Sequence, residues 1–226
     1  MKTSELFNME LNYISNDTLR KIVSETLDAS PKCIQIIPAS SSKRYHPEYA
    51  TIDGKFNNDG TVYEGGLMRH IKAAVGIAHC MIENDIFTNM VMSKEDKEAE
   101  DFTEKRQAYS DIAYASLILH DCKKPDDTPK HSTRFDHPLL AAKLFKEVAK
   151  NYITQDNMGY MQFVITGIYR CIASHMGQYC TAPYAKGVVL PKPNSGIEHF
   201  VHIADYLASR RFLTFEFDKY DYNSRG

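Results

Sequence analysis

The chain is 226 residues long, 43% hydrophobic and 25% charged, with 27 basic against 29 acidic side chains and a pI near 6.5. That length and balance suit one globular domain with a sizeable core. A formal net charge of −2 excludes the global basic field of a non-specific nucleic-acid binder, so no strong grip on duplex nucleic acid is expected.

The opening residues, MKTSELFNMELNYISND, lack the apolar stretch of a signal peptide, and no apolar run approaches the roughly 20 residues that cross a bilayer. The five cysteines (Cys33, Cys80, Cys122, Cys171 and Cys180) are odd in number and form no CxxC pair. They read as reduced thiols, not as a disulfide framework or a cysteine zinc site. A cytoplasmic protein with no membrane partner is expected.

Residues 15–29 carry Leu19, Ile22, Val23 and Leu27 at helical spacing, closed by Ser30 and Pro31. Residues 32–64 are rich in turn formers; CIQII is the one short strand candidate, and no sheet is expected. Residues 66–84 place Leu67, Ile71, Ala74, Val75, Ala78 and Ile82 on one helix face. The charge run SKEDKEAEDFTEKR reads as a solvated linker or an exposed helix start capped by Ser93. An apolar helix over 107–120 ends at His120 and Asp121, and Pro125 and Pro129 keep the next loop open. Asp136 caps a helix over 137–150 with Pro138 in its first turn, and 158–175 is a further apolar helix. The long loop GQYCTAPYAKGVVLPKPN leads to a capping box of Ser195 and Glu198, which opens a helix to about residue 212. The sum is an all-α bundle with long loops at one end.

A histidine or aspartate stands near the end of the apolar face of each main helix: His70, His120 with Asp121, His137, His175 and Asp205. The order is H…HD…H…H…D. Neutral imidazoles and carboxylates are the donors that Fe, Mn, Zn and Ni sites use. Bundles build such sites from inward side chains on facing helices, so distance along the chain is no obstacle. His79, His131, His199 and His202 read as ordinary surface or core-edge histidines.

In these residues the chain resembles the HD-domain superfamily of metal-dependent phosphohydrolases. EGGLMRH looks like the first-helix motif, ASLILHDCKK like the apolar run into His-Asp, and FDHPLLAAKLF like the segment with the third-position histidine. IASHMGQY resembles the SHHG segment of HD-type 3′–5′ exoribonucleases, and HIADYLASRR the last helix, whose aspartate closes the site. Those exonucleases share the upstream flavour of IPASSSKRYHPEYA. The resemblance spans roughly residues 38–211 of a single domain, with 1–37 as an N-terminal helical extension and 212–226 as an aromatic tail.

The resemblance implies that His70, His120, Asp121 and Asp205 hold a first divalent metal (Fe, Mn, Ni or Zn, with Mg admitted). Asp121 would bridge to a second ion held also by His137 and His175. It implies hydrolysis of a phosphoester or phosphoanhydride by a metal-activated water, with Asp121 and Lys124 as the catalytic residues. Contacts to a nucleotide or short oligonucleotide would come from Arg69, Lys123, Arg134, Gln178, Tyr179, Lys186 and Lys192, Tyr179 being suited to stack a base.

Met176 departs from the exonuclease pattern, where a second consecutive histidine follows. A thioether is a poor ligand for a hard divalent ion, so the second metal loses one expected donor and a small-molecule site is favoured over a processive exonuclease. Six ligands in this order also suit small HD hydrolases of dinucleoside polyphosphates, or a mixed-valent diiron oxygenase. A regulatory protein that binds metal or nucleotide without turnover is the third reading. The residues leave open whether the chain forms a homo-oligomer.

Overall fold

The computed structural model describes residues 1–213 apart from Ser41, Lys43, Tyr49, residues 126–133 and Lys186. The fold is an all-α bundle. After a 3₁₀ turn, α1 (Asn8–Leu11) leads to α2 (Asp17–Asp28), whose start is fixed by the Asn16 side chain accepting the Leu19 N–H. CIQII is not a strand: Lys32–Gln35 forms a 3₁₀ turn. A short antiparallel hairpin follows, β1 (Lys55–Phe56) with β2 (Val62–Tyr63), in the register Lys55 to Tyr63. The remaining elements are α3 (Gly66–Ile82), α4 (Asp85–Val91), α5 (Lys94–Glu98), α6 (Phe102–Leu119), α7 (His137–Ala149), α8 (Met158–Ser174) and α9 (Gly196–Ala208).

The centre of the bundle is α3 and α6, packed against each other, with α9 on α3 and α8 on α6; α7 lies on α8. Leu67, Ile71, Ala74, Val75, Ala78 and Ile82 are all buried, as their spacing requires, but so are Met68, Ala73 and Ile77 on the other faces of α3. From Ala108 to Leu119 only Tyr109 of α6 is not fully buried. A helix surrounded on all sides belongs in the middle of a core, not on its surface.

Two polar ties fix the N-terminal third. Buried Asp111 of α6 accepts hydrogen bonds from Ser15 N at 2.8 Å, Ser15 Oγ at 2.9 Å and Asn16 N at 3.1 Å, pinning the entry to α2. Lys72 and Glu64 form a buried ion pair at 2.7 Å between α3 and the hairpin exit. Gly65 explains the glycines of EGGLMRH in part: a Cβ there would lie 2.3 Å from the Ile36 carbonyl carbon. Its N–H donates to Gln35 O at 2.9 Å, and Leu67 N donates to Ile37 O at 3.0 Å, so the start of α3 is sewn to the preceding chain.

The helix-start signals hold unevenly. Ser93 caps α5 by accepting the Asp96 N–H, and the charge run continues into α6 from Phe102. Asp136 occupies the N-cap of α7 without capping it through its side chain, because Arg134 takes both carboxylate oxygens at 2.9 and 2.8 Å. At α9 the expected capping box does not form: Ser195 Oγ donates to Glu198 Oε1 at 2.9 Å instead of accepting a backbone N–H, and Glu198 Oε2 accepts Asn194 N at 3.1 Å, one residue before the N-cap. No described helix is long and apolar enough to cross a membrane.

Candidate metal centre

Five helix ends converge at one end of the bundle. His70 lies in the second turn of α3, His120 and Asp121 end α6, His137 opens α7, His175 ends α8, and Asp205 stands in the last turn of α9. The four histidines and Asp121 are at most 2% exposed, while Asp205 keeps 17% of its side chain open.

The two oxygens of Asp121 face different partners. Oδ2 lies 3.8 Å from His70 Nε2 and 3.4 Å from His120 Nε2, and Asp205 Oδ1 lies 2.9 and 3.5 Å from the same two nitrogens. Oδ1 lies 2.9 Å from His137 Nε2 and 3.7 Å from His175 Nε2, which are 3.3 Å apart. An ion with bonds of about 2.1 Å needs ligand atoms roughly 3.0 Å apart at right angles and roughly 3.4 Å apart in a tetrahedron. Both groups of atoms match that scale.

Proton placement gives an independent test of fit. Nδ1 of His120 donates to Leu117 O at 2.7 Å, Nδ1 of His137 to Arg134 O at 2.5 Å, and Nδ1 of His175 to Ile172 O at 2.7 Å. A neutral imidazole with Nδ1 protonated presents a lone pair at Nε2, and such fixing of the tautomer is what metal-bound histidines use. His137 and His175 therefore point two acceptors at each other. His120 Nε2 and Asp121 Oδ1 are buried without a hydrogen-bond partner among the described residues. Acceptors gathered out of water repel one another unless a cation joins them, so the donor set fits one or two divalent ions. His70 differs: its Nδ1 has no hydrogen-bond partner among the described residues, and its Nε2 is the atom that faces Asp205.

The electrostatics show how strongly the two acids draw positive charge to this point, be it a proton on His120 or a cation. Burial works against charge on every group, yet Lys124 and His120 hold the Asp121 carboxyl well below the usual range, and His120 does the same to Asp205. Both acids stay ionised at neutral pH. Burial opposes protonation of His120, but Asp121 and Asp205 outweigh it and push this histidine up to about 10. Burial, with the charge of His120, pushes His175 down to about 3. Lys124 Nζ contacts Asp121 Oδ2 at 2.6 Å with 14% of its side chain exposed; burial opposes its charge and Asp121 outweighs burial.

The residues expected to meet substrate fare differently. Arg69 lies over the Tyr63 ring at 5.5 Å, its Nε buried without a hydrogen-bond partner among the described residues. Lys123 is half-buried, Gln178 and Tyr179 are exposed on the 3₁₀ turn Gly177–Tyr179 after His175, and Lys192 is exposed. Lys186 and His131 lie outside the described residues. Arg134 is a brace: its N–H donates to Lys124 O at 2.9 Å, its carbonyl accepts from His137 and its guanidinium grips Asp136. Met176 packs against an apolar cluster of Phe135, Cys180, Ala185 and Leu190 that supports the loop after α8.

Three residues near the centre escape the sequence reading. His202 is no plain surface histidine: its Nδ1 donates to the His175 carbonyl at 2.7 Å, capping an orphan acceptor at the end of α8. Tyr45 lies within electrostatic reach of Lys124, Asp205, Asp121 and Arg210, and burial first, then the two acids, pushes its phenol up. Arg210 follows α9 and stacks on Tyr206. The only sequence signal for the last two is that both lie in quoted motif segments, SSSKRYHPEYA and HIADYLASRR. His79, by contrast, is structural, bonded to Tyr114 at 2.8 Å and stacked on Tyr13 at 4.3 Å.

Comparison with protein-family models, with curated proteins and with solved structures finds no match to the chain.

Proposed function

We propose that the chain is a metal-dependent phosphohydrolase that cleaves a phosphoester or phosphoanhydride bond in a nucleotide or short oligonucleotide. The observation that carries this reading is the division of Asp121, one carboxylate oxygen toward His70 and His120 and the other toward His137 and His175. His70, His120, Asp121 and Asp205 would hold one ion; Asp121, His137 and His175 would hold a second. When bound, such ions supply Lewis acidity toward phosphoryl oxygens and a water nucleophile at neutral pH.

The chain's own residues supply the rest. Backbone carbonyls hold the Nδ1 protons of His120, His137 and His175, which keeps their Nε2 lone pairs aimed inward without reorganisation. Lys124 stands against Asp121 where it can meet charge that develops on a phosphoryl group. Imidazole-rich donors favour Fe, Mn, Ni or Zn over Mg. A cytoplasmic protein acting on a small nucleotide suits the near-neutral charge.

The test is turnover of a nucleotide and dinucleotide panel by the Mn-, Fe- or Zn-loaded chain under strict anaerobiosis. Phosphate or nucleoside monophosphate should form, stop on chelation, and be lost in Asp121→Ala. Activity that requires oxygen would instead favour an oxygenase, and bound metal with no turnover a regulatory protein.

A further inference from the structure

Arg210 lies five residues beyond Asp205, roughly 7 Å further along the helical path. Its Nε and Nη2 both donate to Ser209 Oγ, at 3.0 and 2.7 Å, and that hydroxyl donates to the Tyr206 carbonyl at 2.7 Å. The guanidinium carbon lies 4.2 Å from the Tyr206 ring centre and 5.8 Å from that of Tyr45. One edge of the guanidinium is thus tied to its own helix end, and rings stand against its faces. The Nη1 group has no hydrogen-bond partner among the described residues.

Three other arginines of the fold behave differently. Arg20, Arg134 and Arg170 each hold a carboxylate, at 2.8, 2.8 and 3.0 Å. Arg210 forms no ion pair with any described acid, although it is part-buried and tightly positioned. Tyr45, which it faces, also lies within reach of Lys124, Asp121 and Asp205. Two cations therefore act on this tyrosine: Lys124, bonded to a ligand carboxylate, and Arg210, whose Nη1 group is uncommitted. A planar guanidinium held by stacking loses little freedom when it binds an oxyanion, and its donor fork fits phosphate.

We propose that Arg210, braced by Tyr45, Tyr206 and Ser209, is a specificity-determining residue that takes a second, non-reacting phosphate of the substrate. This rests on the phosphohydrolase reading and sharpens it. The preferred substrate carries two phosphates a few ångströms apart, with Lys124 at the reacting one and Arg210 at its neighbour. A nucleoside di- or triphosphate and a 5′-phosphorylated dinucleotide share that chemistry; AMP does not.

The test compares the unmodified chain with Arg210→Gln and Arg210→Lys, each Mn-loaded and checked for metal content and thermal midpoint. Two ratios are measured: kcat/KM for ADP, and separately for a 5′-phosphorylated dinucleotide, over AMP; and the affinity for inorganic pyrophosphate over inorganic phosphate by calorimetry. Both should fall at least tenfold in Arg210→Gln, chiefly through KM, and by less in Arg210→Lys, which keeps the charge but not the fork. A loss for ADP alone or for the dinucleotide alone tells which source supplies the second phosphate. Ratios that stay at the unmodified value in both variants overturn the assignment. Should Arg210→Gln fail to fold, Arg210→Lys decides by the same ratios. If nothing is turned over yet pyrophosphate selectivity depends on Arg210, the hydrolase reading fails and the anion site stands. If turnover is robust but the ratios ignore Arg210, only this assignment fails.

Discussion

The Nζ of Lys124 lies 2.6 Å from Oδ2 of Asp121, the same oxygen that faces His70 and His120. An ammonium there competes with a divalent ion for the carboxylate and, in the proposed hydrolase, would meet charge on an arriving phosphoryl group. Lys124→Met should therefore separate two quantities. Metal affinity should rise, by about tenfold, because a competing charge is gone. Turnover should fall by about a hundredfold, because charge in the transition state loses its partner. Chelator competition and steady-state kinetics on one protein sample measure both, and weaker metal binding would contradict the competition.

His202 reaches the candidate metal centre through the His175 carbonyl, and Gly177 sits against its ring. A Cβ on Gly177 would lie 2.2 Å from His202 Cε1, and Gly177 has φ of +54°, a conformation other residues adopt with strain. Gly177→Ala should thus destabilise by about 1–3 kcal/mol. His202→Ala should weaken metal binding by about tenfold or more, and His202→Gln, which keeps a donor, should recover part of it. Calorimetric unfolding and metal titration distinguish the two effects.

Asp111 is a buried acid whose three bonds from Ser15 and Asn16 join residues 95 and 96 positions away along the chain. Asp111→Ala leaves two backbone N–H groups without their acceptor. A loss of about 3 kcal/mol is expected, following the scale for hydrogen bonds to charged groups. Hydrogen exchange should rise first in α2, and a uniform rise over the whole bundle would argue against a local tie.

His46 gives a pH dependence away from the ligands. It is 3% exposed, and its Nδ1 accepts the Glu48 N–H at 3.2 Å, so a proton placed there would break that bond. Burial lowers its pKa below the ordinary 6.5, with Glu48 opposing and Arg211 assisting. The unfolded chain then binds this proton more readily than the folded one. The contribution of His46 is complete above pH 6.5 and is lost as pH falls below it. The thermal midpoint between pH 7.5 and 5.5 should fall less steeply in His46→Gln than in the unmodified chain.

Much of the bundle is legible in the sequence because single helices carry their own period. Leu67, Ile71, Ala74, Val75 and Ala78 announce α3 without outside help. By contrast, α4 is seven residues with Ile86 exposed and no side-chain cap, and each hairpin strand is two residues, too short for any pattern. The six ligand candidates are visible because each stands near an end of an apolar helix. Tyr45, His202 and Arg210 are not, since their value lies in contacts across the fold: Tyr45 meets Arg210 from 165 positions away, and His202 meets His175 from the next helix. Met176 reads in the sequence as a missing ligand; its apolar partners in the loop give it a packing role that the sequence pattern alone does not disclose.

Metal stoichiometry in a small set of variants tests the central claim most directly. The unmodified chain, loaded with Mn or Zn and freed of loose ions, should hold close to two equivalents. His137→Ala with His175→Ala should remove one, His70→Ala with Asp205→Ala should remove the other, and Asp121→Ala should weaken both. Content that is negligible throughout, or that ignores Asp121, would contradict a centre shared between its two oxygens.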